Sequence, residues 1–250
     1  MVLVLPQELD MEMSEKDTLV DQNRLLRALS PAMRTQLLPL LEPCPLTMRD
    51  VLIAPDVPIR HVYFPLHGVV SLISTLADRT PVEVMTIGKE GLVGLPLFLR
   101  ATRSPFTAFV QVPGEALRMA AVVFERLLDE GNSDLHQRLY RYTHVLFNQI
   151  GQLVVCNRLH LTAQRCARWL LLTQDRMGRD DFLLTHDSLA QMLGVRRASV
   201  TEVAGRLQQA GLIRYRRGVI QVLDRAGLEV ACCECYGVMQ QQYDQLLGPA

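Results

Sequence analysis

The spacing of hydrophobic and polar residues changes twice along this chain. Residues 23–41 carry two short helical periods of leucine, and Ser30-Pro31 between them is a typical helix start. From about Asp50 to Ala120 the apolar residues form short, β-branched runs, which Pro, Gly or Asp interrupts about every six to ten residues. This pattern predicts about seven or eight antiparallel strands in a sandwich or roll.

A long amphipathic helix is predicted next, over residues 131–158. Its apolar seam is spaced alternately by four and three residues, and it consists of Leu135, Leu139, Tyr142, Leu146, Gln149 and Leu153, with Cys156 continuing it. An a/d spacing of this kind predicts a helix that pairs with a second copy of itself. Phe147, Ile150 and Val154 lie on another face, so one face can contact the roll and the other a partner.

Residues 185–213 have the pattern of two helices joined at Gly194. Thr185 is a predicted N-cap, and Gly194 can adopt the positive φ of a helix end. After a three-residue turn, the second helix starts near Arg197. Its buried positions are spaced i, i+3, i+4 and i+7, and they are Val200, Val203, Ala204 and Leu207. The spacing predicts a helix-turn-helix, whose second helix enters the major groove of DNA.

The outer face of this second helix is short-chained and polar, as a helix in the major groove requires. The residues predicted to read bases are Arg197, Ala198, Ser199, Thr201 and Glu202. Arg197 can form a bidentate pair with guanine, and Glu202 can accept a hydrogen bond from cytosine. Arg196 at the turn and Arg206 on the flank are predicted to contact backbone phosphates.

A basic hairpin is predicted directly after this helix. The strands Leu212–Arg214 and Val219–Leu223 flank a turn over residues 215–218 that contains Gly218. A hairpin in this position is a wing, and its arginines are predicted to contact the sugar-phosphate backbone; they are Arg214, Arg216 and Arg217. The helix pair and the wing together favour DNA binding over a helical bundle with basic loops.

Composition indicates the cellular compartment and shows that charge is distributed unevenly along the chain. The 250 residues have no net charge, but residues 158–250 carry +3, and residues 185–225 carry +4. A basic patch is a weak sign of an anionic partner, and, taken alone, a solvated surface is the favoured explanation. No apolar run reaches the length of a membrane span, and the N-terminus lacks the basic segment of a signal peptide. We therefore expect a cytoplasmic protein with no membrane partner.

The order of these parts resembles the Crp/Fnr superfamily of bacterial transcription regulators. The stretches that carry the resemblance are FPLHGVVSL (64–72), VEVMTIGKEGLVGLPLFL (82–99), CNRLHLTAQRCARWLL (156–171), LAQMLGVRRASVT (189–201) and LEVACCECYGV (228–238). The resemblance implies an α+β fold with an N-terminal antiparallel β-roll, which is cupin-like and similar to cyclic-nucleotide-binding domains. A long dimerisation helix and a C-terminal winged helix-turn-helix follow. It also implies a homodimer on a two-fold-related site in double-stranded DNA, with RNA polymerase as a protein partner.

The predicted domains follow from this order. Residues 1–22 are expected to be a frayed tail, and residues 23–130 a β-roll that acts as the sensor domain. Residues 131–158 are the dimerisation helix, and residues 159–250 are the DNA-binding domain with a C-terminal helix.

Two motifs depart from the family pattern. Well-studied members carry a Glu directly after the helix-start Arg and an Arg four residues later; Ala198 and Glu202 stand there instead, which predicts a different half-site. Cyclic-nucleotide members hold phosphate with a Gly-Glu pair and an Arg-Ser-Ala motif. Here Glu90-Gly91 inverts the pair, and Pro105 follows Arg103-Ser104. These four residues are candidate ligand contacts, but the sequence disfavours a cyclic nucleotide.

The six cysteines offer a weaker site. Only Cys44 lies in the N-terminal half, so an iron–sulfur cluster built from N-terminal cysteines is disfavoured. Cys232, Cys233 and Cys235 lie together, and Cys232 and Cys235 are spaced to share a helix face. With a fourth ligand they can hold a soft metal or act as a thiol sensor, but packing is the favoured explanation, so no metal is predicted.

No nucleophile elbow, P-loop or HExxH motif is present, so the chain is not expected to be an enzyme. The leading hypothesis is a dimeric, sequence-specific regulator of transcription, controlled through the roll by a signal that the sequence does not name. Two alternatives remain, in both of which the winged domain contacts protein: a small-molecule-binding module, and a thiol or metal sensor.

Overall fold

The computed structural model describes residues 18–75, 77 and 81–248. After a helical segment at residues 18–20, the chain forms the short helices α1 (Arg24–Arg27) and α2 (Pro31–Leu37). As predicted, Ser30 caps α2, and its side chain accepts a hydrogen bond from the backbone N of Met33. Most of the predicted frayed tail lies outside the described residues. Val20, however, is only 1% exposed, so the packed part of the chain begins before Asn23.

The β-roll is an antiparallel sheet of five described strands. They are β1 (Glu42–Leu46), β2 (Val51–Ile53), β3 (His61–Thr75), β4 (Pro81–Ile87) and β5 (Thr107–Ala120). Their order is β1-β5-β3-β4, and β2 also pairs with β5. A 3₁₀ turn (Leu38–Leu40) precedes β1, and a second one (Leu95–Leu97) lies between β4 and β5.

The prediction of seven or eight strands was wrong, because β3 and β5 continue through residues that usually end strands. Gly68 lies inside β3 and Gly114 inside β5, where the register between the two strands shifts repeatedly. A Cβ on Gly114 would lie 2.3 Å from the carbonyl oxygen of His67, so the two backbones touch at this point. The glycines therefore form bulges within long strands instead of turns between short ones.

Two helices cover the roll. They are α3 (Ala121–Asp129) and the 27-residue α4 (Ser133–Leu159), which Asn132 caps. At about 1.5 Å per residue α4 is roughly 40 Å long. Its inward side chains join one core with the roll, in which Phe64, Phe124 and Tyr142 are fully buried.

The winged domain comprises residues 162–247. Its elements are α5 (Thr162–Met177), β6 (Asp181–Leu183), α6 (His186–Leu193), α7 (Arg197–Gln209), β7 (Ile213–Arg216), β8 (Val219–Val222), α8 (Arg225–Ala231) and α9 (Cys235–Leu247). The three strands form a sheet of order β6-β8-β7. Trp169 is 3% exposed and lies in a second core with Phe182, Leu189 and Val200.

The ends of these helices follow local rules, with one exception. Gly178 ends α5 in the left-handed region at φ +63°, and Asp224 caps α8. Thr162 is a residue type that can cap a helix, but α5 already includes it. Leu161 is the capping residue, and its backbone N donates to the side chain of Gln164. None of the helices in the described part of the chain has both the length and the hydropathy of a membrane span.

Candidate DNA interface

The turn between α6 and α7 has the predicted geometry. The Thr185 hydroxyl accepts a hydrogen bond from the Ser188 backbone N at 3.1 Å, which starts α6. Gly194 ends α6 at φ +63°, where an L side chain would be strained. Arg196 is extended, and α7 begins at Arg197. Local sequence signals therefore define where α6 ends and α7 begins.

The inner face of α7 fixes it on the domain core. Val200, Val203, Ala204 and Leu207 are each at most 6% exposed, as their spacing predicted. Three of them belong to the core that also contains Leu189 and Leu193 of α6. The opposite face of α7 is therefore held in one orientation.

The reading face of α7, which we define as Arg197, Ala198, Ser199, Thr201 and Glu202, points away from the core. Ser199 is half-buried and the other four are exposed. Two of them form ion pairs: Arg197 Nε lies 3.3 Å from Asp187 Oδ1, and Glu202 pairs with Arg206 one turn later. Both pairs are more than 60% exposed and are weak, because water screens them.

His186 connects α6, α7 and the wing, and the sequence analysis did not identify it. Its Nδ1 lies 3.1 Å from the Thr201 hydroxyl, and its ring stacks on Tyr215 with the centroids 4.2 Å apart. Burial and the nearby Arg197 guanidinium lower the pKa of His186, so the ring is neutral at physiological pH. An aromatic residue at the base of the wing was the only sequence signal for this contact.

The wing is a tight hairpin. Arg217 at φ +50° and Gly218 at φ +79° form its two-residue turn, a type I′ geometry that suits the twist of paired strands. The predicted four-residue turn was too long, since Tyr215 and Arg216 pair within β7. The Tyr215 backbone N donates to Gln208 Oε1 at 2.8 Å, which fixes the wing to α7.

The basic residues around this unit lie on its surface. The exposed ones are Arg196, Arg206, Arg214, Arg216 and Arg217. Arg214 donates to Gln221 Oε1 at 3.4 Å. Among the described residues, no ion pair engages Arg196, Arg216 or Arg217, so these guanidinium groups are available to an anion.

The predicted dimer seam of α4 contacts the chain's own roll. Leu135, Leu139, Tyr142, Leu146 and Gln149 are each at most 8% exposed within a single chain, and Leu153 is half-buried. The assignment of these six residues to a partner contact is therefore corrected. A heptad pattern identifies a buried face without identifying what buries it.

A different face of α4 is apolar and exposed. Tyr140, Phe147 and Val154 are spaced by seven residues and are 63%, 75% and 65% exposed, and Ile150 beside them is 38% exposed. We call these four residues the outer stripe. Three of them are the residues that the sequence placed on the second face of the helix.

The candidate ligand residues do not converge on one site. Glu90 is buried, and its carboxylate accepts from Arg176 Nη2 of α5 at 2.7 Å. Gly91 packs on the Tyr142 ring, where a Cβ would lie 2.2 Å from the hydroxyl oxygen. Arg103 donates to the Asp56 carbonyl oxygen, and the Ser104 hydroxyl accepts from the Phe106 backbone N. The assignment of these four residues to one ligand site is corrected, because Glu90, Arg103 and Ser104 already form hydrogen bonds with other groups of the protein.

The Glu90–Arg176 pair is part of a buried network between the roll and the winged domain. Arg176 also donates to the Thr86 carbonyl oxygen at 3.0 Å and to the Thr86 hydroxyl. Tyr243 of α9 donates to Gln149 Oε1 at 2.8 Å, and its hydroxyl lies 3.5 Å from Glu90 Oε1. The two domains are thus joined by charged and polar contacts that water does not reach.

The structure separates Cys232 from the other two C-terminal cysteines. Cys232, which the sequence paired with Cys235, is half-buried and ends α8. Cys233 and Cys235 lie instead beside Cys156 and His160. The predicted pair of Cys232 and Cys235 is therefore wrong, because the chain leaves the helix at Cys232 and the two side chains do not share a face.

Comparisons with known proteins agree with this architecture. A family model of the cyclic nucleotide-binding domain matches residues 44–130, and one of the Crp-like helix-turn-helix domain matches residues 164–231. No curated protein sequence gives a significant match. A Crp-like helix-turn-helix binds DNA and is not a catalytic domain, in agreement with the prediction that the chain is not an enzyme.

Solved structures of similar fold cover most of the chain. FixK2 of Bradyrhizobium japonicum is 14% identical with a TM-score of 0.65, over 77% of this chain and 98% of that one. A CRP-family transcriptional regulator of Thermus thermophilus is 21% identical with a TM-score of 0.63, over 75% and 95%. CLP of Xanthomonas campestris, a c-di-GMP-responsive global regulator, is 15% identical with a TM-score of 0.61, over 77% and 99%.

The fold prediction is confirmed in its order of roll, long helix and winged helix-turn-helix. The two family models match its two halves in that order. The chain therefore belongs to the Crp/Fnr superfamily of DNA-binding transcription regulators.

Proposed function

We propose that this regulator binds a two-fold-related DNA site as a homodimer, with α7 of each chain in a major groove and the roll transmitting a signal. The observation that carries the proposal is the reading face of α7. It is short-chained and exposed, and the buried side chains on the opposite face of the same helix fix its orientation. Such a helix can approach base edges without rearrangement.

Two adjacent arginines have different predicted roles. Arg197 lies in the first turn of α7, and its side chain can reach guanine O6 and N7 once it leaves Asp187. Arg196 precedes the helix and is better placed for a phosphate. Arg206 on α7 and the wing arginines Arg214, Arg216 and Arg217 supply further phosphate contacts, and therefore affinity that depends on salt.

The second copy is proposed to cover the outer stripe of α4. Three large apolar side chains at heptad spacing with a fourth beside them form a coiled-coil face, and a pair of such helices buries both stripes symmetrically. A two-fold dimer presents two α7 helices to successive major grooves, which matches a two-fold DNA site. Action on cellular DNA implies a cytoplasmic protein. RNA polymerase remains the expected protein partner on the basis of the family resemblance.

The signal is proposed to act through the contact between the roll and α5. Glu90 follows β4, and Arg176 lies in the last turn of α5. A shift of the roll would therefore move α5, the first helix of the winged domain. No ligand class is assigned to the roll, since its candidate phosphate contacts do not converge.

Selection of bound sequences from random DNA tests the proposal. Wild type is expected to enrich one half-site in two symmetric copies. Arg197→Ala should lose about 1–3 kcal/mol of discrimination, which is roughly 5-fold to 150-fold in specific affinity, and should remain a dimer. Arg126→Ala removes an exposed arginine of α3 on the roll side and serves as the matched control.

Two results would contradict the assignment. Normal footprinting by Arg197→Ala would eliminate Arg197 as a base reader. Failure of wild type to enrich any sequence, with and without added cell metabolites, would favour the alternative in which the winged domain contacts protein.

A further inference from the structure

Four metal-ligand side chains converge at the joint between α4 and α5, and DNA binding does not use them. The Sγ atoms of Cys156, Cys233 and Cys235 and a ring nitrogen of His160 all lie within 4.8 Å of one another. Cys156 and His160 are at the C-terminal end of α4, while Cys233 and Cys235 lie where α8 gives way to α9. Two remote segments therefore bring three thiols and one imidazole together.

The separations of these atoms fit the ligands of a single ion. Cys156 Sγ lies 3.6 Å from Cys233 Sγ, and Cys235 Sγ lies 3.4 Å from His160 Nδ1. Tetrahedral zinc with Zn–S bonds of about 2.3 Å places neighbouring sulfurs about 3.8 Å apart. An iron–sulfur cluster spreads its four ligands further as a set, because they are divided among two or more irons. The geometry therefore favours one metal ion over a cluster.

The three thiols of the cluster are buried. Cys156 and Cys235 are fully buried, and Cys233 is 4% exposed. Buried cysteines are common in apolar cores, but these three form a separate cluster whose buried members are all cysteines. With His160 they complete a set of four, which is the coordination number of structural zinc.

The surrounding groups orient the ligands as a second coordination shell does. His160 presents Nδ1 to the sulfur of Cys235, and its other nitrogen, Nε2, lies 3.3 Å from the Glu234 carboxylate. A carboxylate on the far ring nitrogen fixes the tautomer and the direction of a metal-binding histidine. Gln152 Nε2 donates to Cys235 Sγ at 3.0 Å, a hydrogen bond that favours the thiolate.

Positive charge lies nearby to balance the site. Three thiolates, a neutral imidazole and a dication carry a net charge of −1. Arg165 and Arg168 of α5 are within electrostatic range of Cys156. The buried Nε of each has no hydrogen-bond partner among the described residues. A buried cation with an unsatisfied donor is costly unless an anionic group lies close to it.

We propose that Cys156, His160, Cys233 and Cys235 hold one Zn²⁺ ion in a closed tetrahedral site. All four positions are protein ligands, so no position remains for a water nucleophile and the ion is structural. It ties the end of α4 to the α8–α9 segment across the joint that leads into the winged domain. Any consequence for DNA binding rests on the proposed function, whereas the metal content does not.

Metal analysis of the full-length chain, purified under reducing conditions, tests the site. Wild type is expected to carry about one zinc per chain. Cys156→Ser and Cys233→Ser should each lose most of it. Cys232→Ser, next to the cluster, and Cys166→Ser, buried elsewhere, are matched controls that should retain it.

A second measurement needs no variant. Co²⁺ added to the reduced, metal-free wild type is expected to give the intense visible bands of a tetrahedral thiolate site, saturating at one equivalent, and Zn²⁺ should remove them. Wild type that binds neither ion would overturn the proposal. So would zinc retained in both cluster variants, or stoichiometric iron and sulfide in place of zinc.

Discussion

Replacing Arg176 by Met removes the guanidinium that joins the winged domain to the roll. In the wild type, Nη2 donates to Glu90 Oε1 at 2.7 Å, and Nε donates to the same oxygen at 3.0 Å. The side chains of Arg176 and Glu90 are 4% and 7% exposed. Met retains much of the length and apolar volume of Arg, so the change isolates the charge and its hydrogen bonds.

The expected loss follows from what the substitution leaves behind. Removing one partner of a buried ion pair typically costs about 3–5 kcal/mol, because the other charge stays buried without compensation. Glu90 would keep the hydrogen bond from the Gly88 backbone N at 3.0 Å. This donor stabilises the carboxylate, so we expect a loss near the lower end, about 3 kcal/mol.

The double variant Glu90→Leu/Arg176→Met separates the charge effect from packing. It removes both ions together, and apolar replacement of a complete buried pair is often close to neutral. We therefore expect it to be more stable than Arg176→Met alone, with an interaction energy of about 2 kcal/mol in the double-mutant cycle.

Urea unfolding of wild type, Arg176→Met, Glu90→Leu and the double variant, followed by circular dichroism, measures these free energies. Arg225→Met is the control, because the ion pair of Arg225 with Asp175 is partly exposed and its loss should cost under about 1 kcal/mol. A loss below about 1 kcal/mol for Arg176→Met, or strict additivity in the double variant, would refute the reasoning.

Three other changes have defined outcomes. Arg216→Ala should weaken binding to all DNA sequences alike and lower the slope of log K against log salt by about one unit, as fluorescence anisotropy at several salt concentrations would measure; an unchanged slope would eliminate this phosphate contact. Phe147→Asp in the outer stripe should give monomers in analytical ultracentrifugation, whereas Val122→Asp, at an equally exposed position of α3, should not. Burial raises the pKa of Glu83 from 4.5 to about 7, so the folded state is most stable when this carboxyl is protonated, and that stabilisation is lost as the pH rises through 7. Glu83→Gln should therefore raise the free energy of unfolding by about 1–2 kcal/mol at pH 8 and change it little at pH 4.5; a gain that is equal at both pH values would contradict the titration.

The winged domain could be predicted because its signals are local. Thr185, Gly194 and the spacing from Val200 to Leu207 each act within one helical turn, and the structure has each of them as expected. The turn of the wing was misjudged by two residues, since strand pairing extends as far as the cross-strand partners allow. Local rules identify elements better than they identify element ends.

The partner of the α4 seam, the role of Glu90 and the cysteine cluster could not be predicted, because they depend on contacts between residues that are remote in sequence. The seam of α4 shows that one face is buried, but the sequence does not distinguish a roll from a second helix as the group that buries it. Glu90 resembles part of a phosphate motif, yet its partner Arg176 is 86 residues away. Cys156 and Cys233 are 77 residues apart, and only the packing of α9 along α4 brings them together. The sequence signals of that cluster were the run that contains Cys233 and Cys235 and the four-residue spacing of Cys156 and His160.

The ion pairs of the reading face affect the search for a target. Asp187 and Glu202 each hold an arginine that would otherwise attract any phosphate. We expect both acids to repel the phosphate backbone of random DNA, so that fewer counterions are released and non-specific binding is weaker than with neutral residues at these positions. At the correct half-site, base contacts compensate for the exchange of partners. The two acids therefore widen the gap between specific and non-specific affinity, and that gap determines how a regulator is distributed over a genome.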